Sequence, residues 1–348
     1  NIGSRQNGAN HTFTGLIAGN YDIMVRDANL CLSAISSVEI LQPSAYLTYT
    51  VNLVNIDCYG GSNGSITINA TGGTTPYYYS IDNGINYQSN HIFNNLTAGV
   101  YDIRVKDAND CITNFNSVSL IQPVSSVSFN YSTIDVSCYG GSDGEINVIA
   151  GGGTPPYSYS LNGGSTYQTN NNFTGLAASS YDVVVKDAND CVSFHEIITI
   201  LQPLLSLSFT YTSTDIFCYG SNTGEIQMTA VGGTPTYEYS HNGGSSYQAS
   251  NTFMNLVAGN YPMMIRDANN CTYGPINVNI NQPAANLTFT TVIANAQCYG
   301  DPSGQITVLA SGGTAPYWYS IDIGSNYQSS NIFTNLIAGE YQVRIKDA

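Results

Sequence analysis

The residues of this chain best suited to covalent chemistry are eight cysteines in two evenly spaced series. Each series advances by 80 residues, with no insertion or deletion. There is no Cys-x-x-Cys motif, and the histidines share no ligand spacing, so disulfides are favoured over zinc sites. In the first series each cysteine begins a Cys-Tyr-Gly motif: Cys58, Cys138, Cys218 and Cys298. In the second series each cysteine follows an Asp-Ala-Asn motif: Cys31, Cys111, Cys191 and Cys271.

A second candidate chemistry is calcium binding by an acidic loop. Asp102, Asp107 and Asp110 offer carboxylate oxygens, which this hard cation prefers. The competing interpretation is an Asx turn, in which Asp bonds its own backbone. The repeats favour the turn, because Pro262 replaces Asp102 and Asn270 replaces Asp110. We therefore predict no metal and no cofactor, and keep this trio as a weak calcium candidate.

Catalytic machinery is not predicted. No recurring motif joins a nucleophile to a base, and nothing indicates the burial that a catalytic pair of carboxylates requires. The segment is therefore predicted not to be an enzyme.

The 80-residue period also sets the domain organisation. A Gln-Pro pair recurs in each period, and proline ends a strand because it has no N–H to donate. Linkers are short, which favours a stiff rod, and both ends fall part-way through a repeat, as expected of a window in a longer array. The predicted domains are a partial repeat at 1–43 (C-terminal half), complete repeats at 44–123, 124–203 and 204–283, and a partial repeat at 284–348 (N-terminal part).

Within each repeat, apolar and polar residues alternate with the period of a β-strand. Ile66 and Ile68 share one face, as do Tyr101, Ile103 and Val105. We count seven strand signals in about 80 residues, which fit a two-sheet sandwich. Tyr101 also lies where immunoglobulin-like domains place a corner tyrosine whose hydroxyl bonds the preceding loop. The predicted fold class is all-β, a tandem array of immunoglobulin-like β-sandwich domains.

Two disulfide pairings are compatible with this fold. An intradomain pairing joins Cys58–Cys111, Cys138–Cys191 and Cys218–Cys271, but the expected topology separates these partners by a strand length, roughly 20 Å. A disulfide requires Cα atoms within about 7 Å. An interdomain pairing instead joins the bottom of one domain to the top of the next, as Cys58–Cys191 and Cys138–Cys271. We favour the interdomain pairing and keep the intradomain one as the alternative.

Composition excludes several partners. Only 9% of residues are charged and the net charge is −15, so a nucleic-acid partner is not expected. No apolar run reaches the ~20 residues of a membrane span. Tyr78 and Trp318, predicted to face solvent, are candidates for stacking on sugar rings. The expected partners are neighbouring repeats and identical chains in a filament, with the surface or glycan ligand left open.

The motifs themselves resemble a known family. The segment from Cys138 to Ile146, the Gly152-Gly-Thr-Pro-Pro-Tyr segment, the stretch from Gly99 to Cys111 and the Gln-Pro pairs are similar to the SprB repeat of gliding-motility adhesins. Asp110 and Leu30 depart from the glycine that the family often places before the cysteine. The resemblance implies a very large surface protein of Bacteroidota, exported by the type IX system.

The function that follows is structural. We expect a non-catalytic, disulfide-stiffened stalk of a cell-surface adhesin, located outside the cell. The alternative is an extracellular fibre whose repeats associate laterally, because low charge leaves little repulsion between chains. A third interpretation is an array of carbohydrate-binding modules.

Overall fold

The computed structural model describes residues 12–348, and within that range all regular secondary structure is β. No helix there is long and apolar enough to cross a membrane. The first two strands form an antiparallel pair in the partial N-terminal repeat: β1 (Gly19–Ile23) and β2 (Ser36–Ile40).

The repeat at 44–123 contains two three-stranded antiparallel sheets. Its strands are β3 (Thr48–Val54), β4 (Gly64–Thr71), β5 (Tyr78–Ser80), β6 (Ile92–Leu96), β7 (Gly99–Lys106) and β8 (Asn116–Leu120). The order is β3-β4-β6 in one sheet and β5-β7-β8 in the other. Immunoglobulin domains arrange strands A, B, E and strands C, F, G in this way. The predicted fold class is therefore confirmed.

The strand count differs from the prediction, since this repeat has six strands rather than seven. The segment between β5 and β6, where immunoglobulin domains carry strand D, forms turns. Asn83 and Gly84 have positive φ there (60° and 86°), and Asp82 Oδ1 accepts hydrogen bonds from Ser80 Oγ and Asn86 N–H. Turn-forming residues thus replace a strand at this position.

The same strands recur along the chain at 80-residue intervals. The next repeat carries β9 (Ser128–Ile134), β10 (Gly144–Gly151), β11 (Ser158–Ser160), β12 (Asn172–Leu176), β13 (Ser179–Lys186) and β14 (Glu196–Ile200). The third carries β15 (Ser208–Thr214), β16 (Gly224–Val231), β17 (Glu238–Ser240), β18 (Thr252–Leu256), β19 (Gly259–Arg266) and β20 (Thr272–Ile280). The last contains β21 (Thr288–Ala294), β22 (Gly304–Ser311), β23 (Trp318–Ser320), β24 (Ile332–Leu336) and β25 (Arg344–Lys346).

The chain forms two compact units. The first comprises Asn1–Asn130, Ile149–Asn170 and Val183–Glu196, of which residues from 12 onward are described, and the second comprises Tyr131–Val148, Asn171–Asp182 and Ile197–Ala348. The repeat at 44–123 lies wholly in the first unit and the repeat at 204–283 wholly in the second. The repeat at 124–203 is divided between the two units, and β9, β10, β13 and β14 each have residues in both. The domain limits at the Gln-Pro pairs stay a prediction.

Each complete sandwich buries the residues that the alternating pattern placed inward. In the first unit, Ile66, Ile68, Ile103 and Val105 have no exposed surface and pack in one core. In the second unit, the equivalent core uses Ile226, Met228, Met263 and Ile265. Methionine fills irregular space because its side chain is unbranched and flexible, which accounts for its use at two positions held by Ile in the earlier repeat.

The corner tyrosine is present in every repeat, complete or partial, that the structure describes. Tyr101 OH donates a hydrogen bond to the Thr97 carbonyl oxygen at 2.8 Å, across the turn between β6 and β7. The tyrosine at the equivalent position of each other repeat donates its OH to the carbonyl oxygen four residues earlier: Tyr21 to Ile17, Tyr181 to Ala177, Tyr261 to Val257 and Tyr341 to Ile337. The turn that sends the chain from one sheet to the other is therefore fixed by one side chain.

Replacing Tyr101 with Phe tests this role. The variant keeps the ring and loses only the hydroxyl bond to Thr97, so we expect its repeat to lose about 1 kcal/mol of stability. Thermal unfolding followed by circular dichroism measures the shift. Tyr46→Phe is the control, because Tyr46 is 94% exposed. Equal melting of the two variants would contradict the role of the hydroxyl.

Candidate functional site: a junction between repeats

The first cysteine series lies in the loop between the first two strands of each repeat. In the repeat at 44–123, the Cys58 carbonyl accepts from Gly61 N–H, and Gln122 Oε1 accepts from Gly60 N–H at 2.8 Å. Gly60 has φ +74°, a conformation that glycine adopts without strain. Gln202 and Gln282 hold Gly140 and Gly220 in the same way, at 2.7 and 2.8 Å.

The Gln-Pro pair therefore has a structural role that sequence reasoning missed. Its glutamine reaches back 62 residues to hold the Cys-Tyr-Gly loop. The signal for this role in the sequence is the constant offset between Cys-Tyr-Gly and Gln, whereas the Gln-Pro pair by itself predicts only a domain boundary.

The second cysteine series lies in the loop after β7 and its equivalents, and a buried aspartate organises that loop. Asp107 is 1% exposed, and its Oδ1 accepts from Asn109 N–H and Cys111 N–H, both at 2.9 Å. Its Oδ2 accepts from Thr74 N–H at 3.0 Å, so one carboxylate joins the cysteine loop to the Gly-Gly-Thr loop. Asp187 and Asp267 are also buried and bond the matching backbone groups at 2.8–3.0 Å.

The surroundings of Asp107 lower its pKa. Burial alone would raise it, but the N–H groups of Cys111, Thr74 and Asn109 stabilise the charged form and outweigh that effect. The carboxylate also explains the second glycine of Gly-Gly-Thr. A Cβ on Gly73 would lie 2.8 Å from Asp107 Oδ2, and Gly73 has φ +63°.

Disulfides join these two loops across consecutive repeats. Cys58 is bonded to Cys191 in the first compact unit, and Cys138 to Cys271 in the second. Both pairs have Cα atoms 5.7 Å apart and a sequence separation of 133 residues. Each bond links the bottom loop of one repeat to the top loop of the next.

A hydrogen bond lies beside each disulfide. Asn189, from the Asp-Ala-Asn motif, donates from Nδ2 to the Asp57 carbonyl at 3.1 Å. Asn269 donates in the same way to the Ser137 carbonyl at 2.9 Å. Because Asp187 and Asp267 bond the backbone N–H groups of these asparagines, the buried carboxylate positions both the cysteine and the amide that meet the preceding repeat.

The intradomain pairing is not the arrangement in this structure. Neither Cys58–Cys111, Cys138–Cys191 nor Cys218–Cys271 is bonded. Ile56 N–H, after β3, donates to the Ile121 carbonyl, after β8, and β8 is antiparallel to β7, so the loops that follow β3 and β7 lie at opposite ends of the sandwich. Four further cysteines have no disulfide partner among the residues that the structure describes, and all four are exposed: Cys31, Cys111, Cys218 and Cys298.

The calcium trio is dispersed. Asp102 accepts from Ser117 Oγ, Asp110 forms an ion pair with Lys106 at 3.0 Å, and Asp107 points into the loop described above. Across residues 12–348 no group of three acidic, His or Cys side chains is arranged to hold a metal. The residue before each second-series cysteine has positive φ: Leu30 74°, Asp110 59°, Asp190 62° and Asn270 64°. Asp and Asn tolerate this conformation, whereas Leu rarely adopts it.

The two aromatic sugar-binding candidates are partly covered. Position 78 was predicted to face solvent, but only Tyr78 is exposed, at 36%, and Trp318 is half-buried. The reason is a basic residue across the strand pair: Lys106 Nζ lies 5.7 Å from the Tyr78 ring centroid, and Lys346 Nζ 5.7 Å from that of Trp318. The basic residues thus cap these rings, a favourable cation–π arrangement.

Comparisons with known proteins agree with the repeat. The family model described as "SprB repeat" matches four segments at 80-residue spacing: 50–86, 130–166, 210–246 and 290–326. Among curated proteins, none matches the chain.

Similar solved structures are multidomain surface proteins. One comprises the N-terminal eight Ig domains of Down Syndrome Cell Adhesion Molecule (10% identity, TM-score 0.26, covering 94% of this chain and 63% of that one). The others are fragments of the surface layer protein SbsC: rSbsC(31-844) (13%, TM-score 0.24, 88% and 53%) and domains 4-9 (13%, 0.22, 73% and 49%). The chain spans less than two thirds of each.

Removing one disulfide should destabilise the second unit. The double variant Cys138→Ser with Cys271→Ser loses a 133-residue constraint, which the chain-entropy model values at up to about 5 kcal/mol. We expect a clearly lower midpoint of thermal unfolding under non-reducing conditions. Cys218→Ser is the matched control: it occupies the same repeat position as Cys138 but is a free thiol. A drop of the same size in the control would exclude the disulfide as the cause.

The buried carboxylate predicts an acid dependence. The folded-state pKa of Asp107 lies below that of an ordinary Asp, so its stabilising effect is complete above about pH 4 and is lost as pH falls through the lowered pKa. Asp107→Asn should lower the urea midpoint at pH 6 and flatten the decrease of that midpoint as the pH falls below about 4. Asp110→Asn is the control, since Asn270 fills that position naturally. An Asp107→Asn profile parallel to wild type would contradict the role.

Proposed function

We propose that this chain is a non-catalytic structural stalk, stiffened by disulfides between consecutive repeats, in a long cell-surface adhesin. The SprB-repeat matches and the all-β repeat architecture support an extracellular, repeat-built structural protein. The proposal includes three further properties. The protein is an adhesin, it is displayed at the cell surface, and the type IX system of a gliding Bacteroidota species exports it.

The observation that carries the proposal is the covalent bond between neighbouring repeats. A disulfide inside a domain stabilises that domain but leaves its neighbour free to reorient. The bonds Cys58–Cys191 and Cys138–Cys271 instead restrict the angle between repeats, because each fixes a second point in addition to the peptide link at Gln-Pro. Restricting that angle is what a stalk needs in order to hold a distal segment away from its anchor.

The neighbouring hydrogen bonds support the same function. Asn189 and Asn269 each contact the backbone of the preceding repeat, so three kinds of link act at one junction: a peptide connection, a disulfide and a side-chain bond. Disulfides persist in oxidising, extracellular surroundings, which agrees with the proposed location.

A distance measurement tests the stiffening. Ser89 and Thr169 are exposed, equivalent positions in consecutive repeats of the first unit. Spin labels attached there through an unnatural amino acid should give a narrow distance distribution by pulsed electron resonance. Cys58→Ser with Cys191→Ser should broaden it, while Cys111→Ser, a free thiol, should leave it unchanged. An equally narrow distribution without the disulfide would contradict the stiffening.

The stalk role has a separate test in the producing cell. Deleting residues 124–203 removes one full period, so Cys58 meets Cys271 in place of Cys191 and the junction is rebuilt. We expect normal surface display and a shorter projection in electron micrographs, with adhesion reduced only through reach. Loss of all ligand binding while display and folding are retained would instead assign binding to the repeat itself.

A further inference from the structure

Every sandwich has four edge strands, and three of them are obstructed against pairing with another chain. The β5 edge has only three residues. The β6 edge is bulged opposite Gly64–Ile66, with Asn95 at φ 59°, and a bulge interrupts a pairing edge. The β8 edge has five residues, and its copies contain Glu196 or Pro275, two residue types that block edge pairing.

The fourth edge has no charged residue and no proline, although in the repeat at 204–283 its strand β15 lies close to β20, with the Phe209 and Tyr273 rings 5.7 Å apart. We call it the A-edge, defined as β3, β9, β15 and β21. Each of these strands has seven residues, and none contains a charged residue or a proline. The pairing of β3, β15 and β21 with the adjacent strand is regular over all seven residues. The outer side of these three strands is therefore an uninterrupted row of backbone groups about 23 Å long.

Apolar side chains on the A-edge are exposed. Val54 is 55% exposed on β3, Ile134 57% on β9 and Val292 58% on β21. Large exposed apolar residues on a long, uncharged edge are the features that natural sheets normally avoid. Exposed Val or Ile residues lie on three of the four A-edge strands, whereas the position of Val54 and Ile134 is Thr214 on β15 and Ala294 on β21.

The far end of the A-edge is closed within the repeat. Ile56 N–H donates to the Ile121 carbonyl, and Ile216 N–H to the Asn281 carbonyl, immediately after β3 and β15. These bonds turn the chain toward the last strand of the other sheet. An added strand would therefore pair with the seven residues of the A-edge and end there.

We propose that the A-edge pairs antiparallel with the A-edge of a second copy of this chain. In a two-fold dimer both copies contribute the same strand to the contact, so the contact does not require opposite charges on the two partners. It also suits an acidic chain: with a net charge of −15, two copies repel except where their contact surface is uncharged, as the A-edge is. This association goes beyond the stalk function, because it joins two neighbouring stalks side by side.

One such contact is small, so association should depend on the number of repeats. A single pair of seven-residue strands is marginal in water. Linking several contacts in one chain raises the overall affinity without any new kind of contact. We therefore expect weak dimers for this segment, and stronger association as salt screens the shared negative charge.

Lysine on the A-edge tests the proposal. The variant replaces the third residue of each strand, all exposed, as Thr50→Lys, Asn130→Lys, Thr210→Lys and Thr290→Lys. The control adds the same charge to the exposed loop after the short edge strand, as Ser89→Lys, Thr169→Lys, Ala249→Lys and Ser329→Lys. Both sets change the net charge from −15 by the same amount. Free thiols are alkylated beforehand so that intermolecular disulfides cannot form.

Sedimentation velocity over a range of concentrations gives the readout, with circular dichroism to establish folding. We expect wild type and the loop control to dimerise with rising concentration and salt, and the A-edge variant to stay monomeric at ten times the wild-type midpoint concentration. Association of the folded A-edge variant equal to that of the control would overturn the proposal, as would a wild type that stays monomeric at high concentration and salt.

Discussion

The covalent link between consecutive repeats is the constraint on which the other recurring features depend. A disulfide forms only where two Cα atoms approach within about 7 Å, so both loops must be held in place. Gln122 holds the first loop and Asp187 the second, with Asn189 bonding across the junction. Three motifs that are far apart in the sequence thus serve one contact.

This constraint also gives the constant period a physical meaning. The partners Cys58 and Cys191 are 133 residues apart, so one inserted residue in either repeat displaces a loop relative to its partner. The loop geometry is the same in the three repeats, because Asp107, Asp187 and Asp267 each accept from the N–H of the following cysteine at 2.9 Å.

Much of the fold followed from the sequence, because alternation of apolar residues reports directly on strand faces. Ile66, Ile68, Ile103 and Val105 were placed inward and are buried. The strand count was too high because Asp82-Asn83-Gly84 ends its segment in turns rather than starting another strand. At the junction, the sequence could pair cysteines by topology but could not reveal Gln122, since its bond spans 62 residues and depends on the tertiary fold.

The most direct test of the junction is a non-reducing peptide map of the protein isolated from its native host, with free thiols alkylated before digestion. The structure predicts linked peptides that contain Cys58 with Cys191 and Cys138 with Cys271. Linked peptides that contain Cys58 with Cys111 and Cys138 with Cys191 would contradict it, because they would place every disulfide inside one repeat and leave the repeats joined by the peptide chain alone.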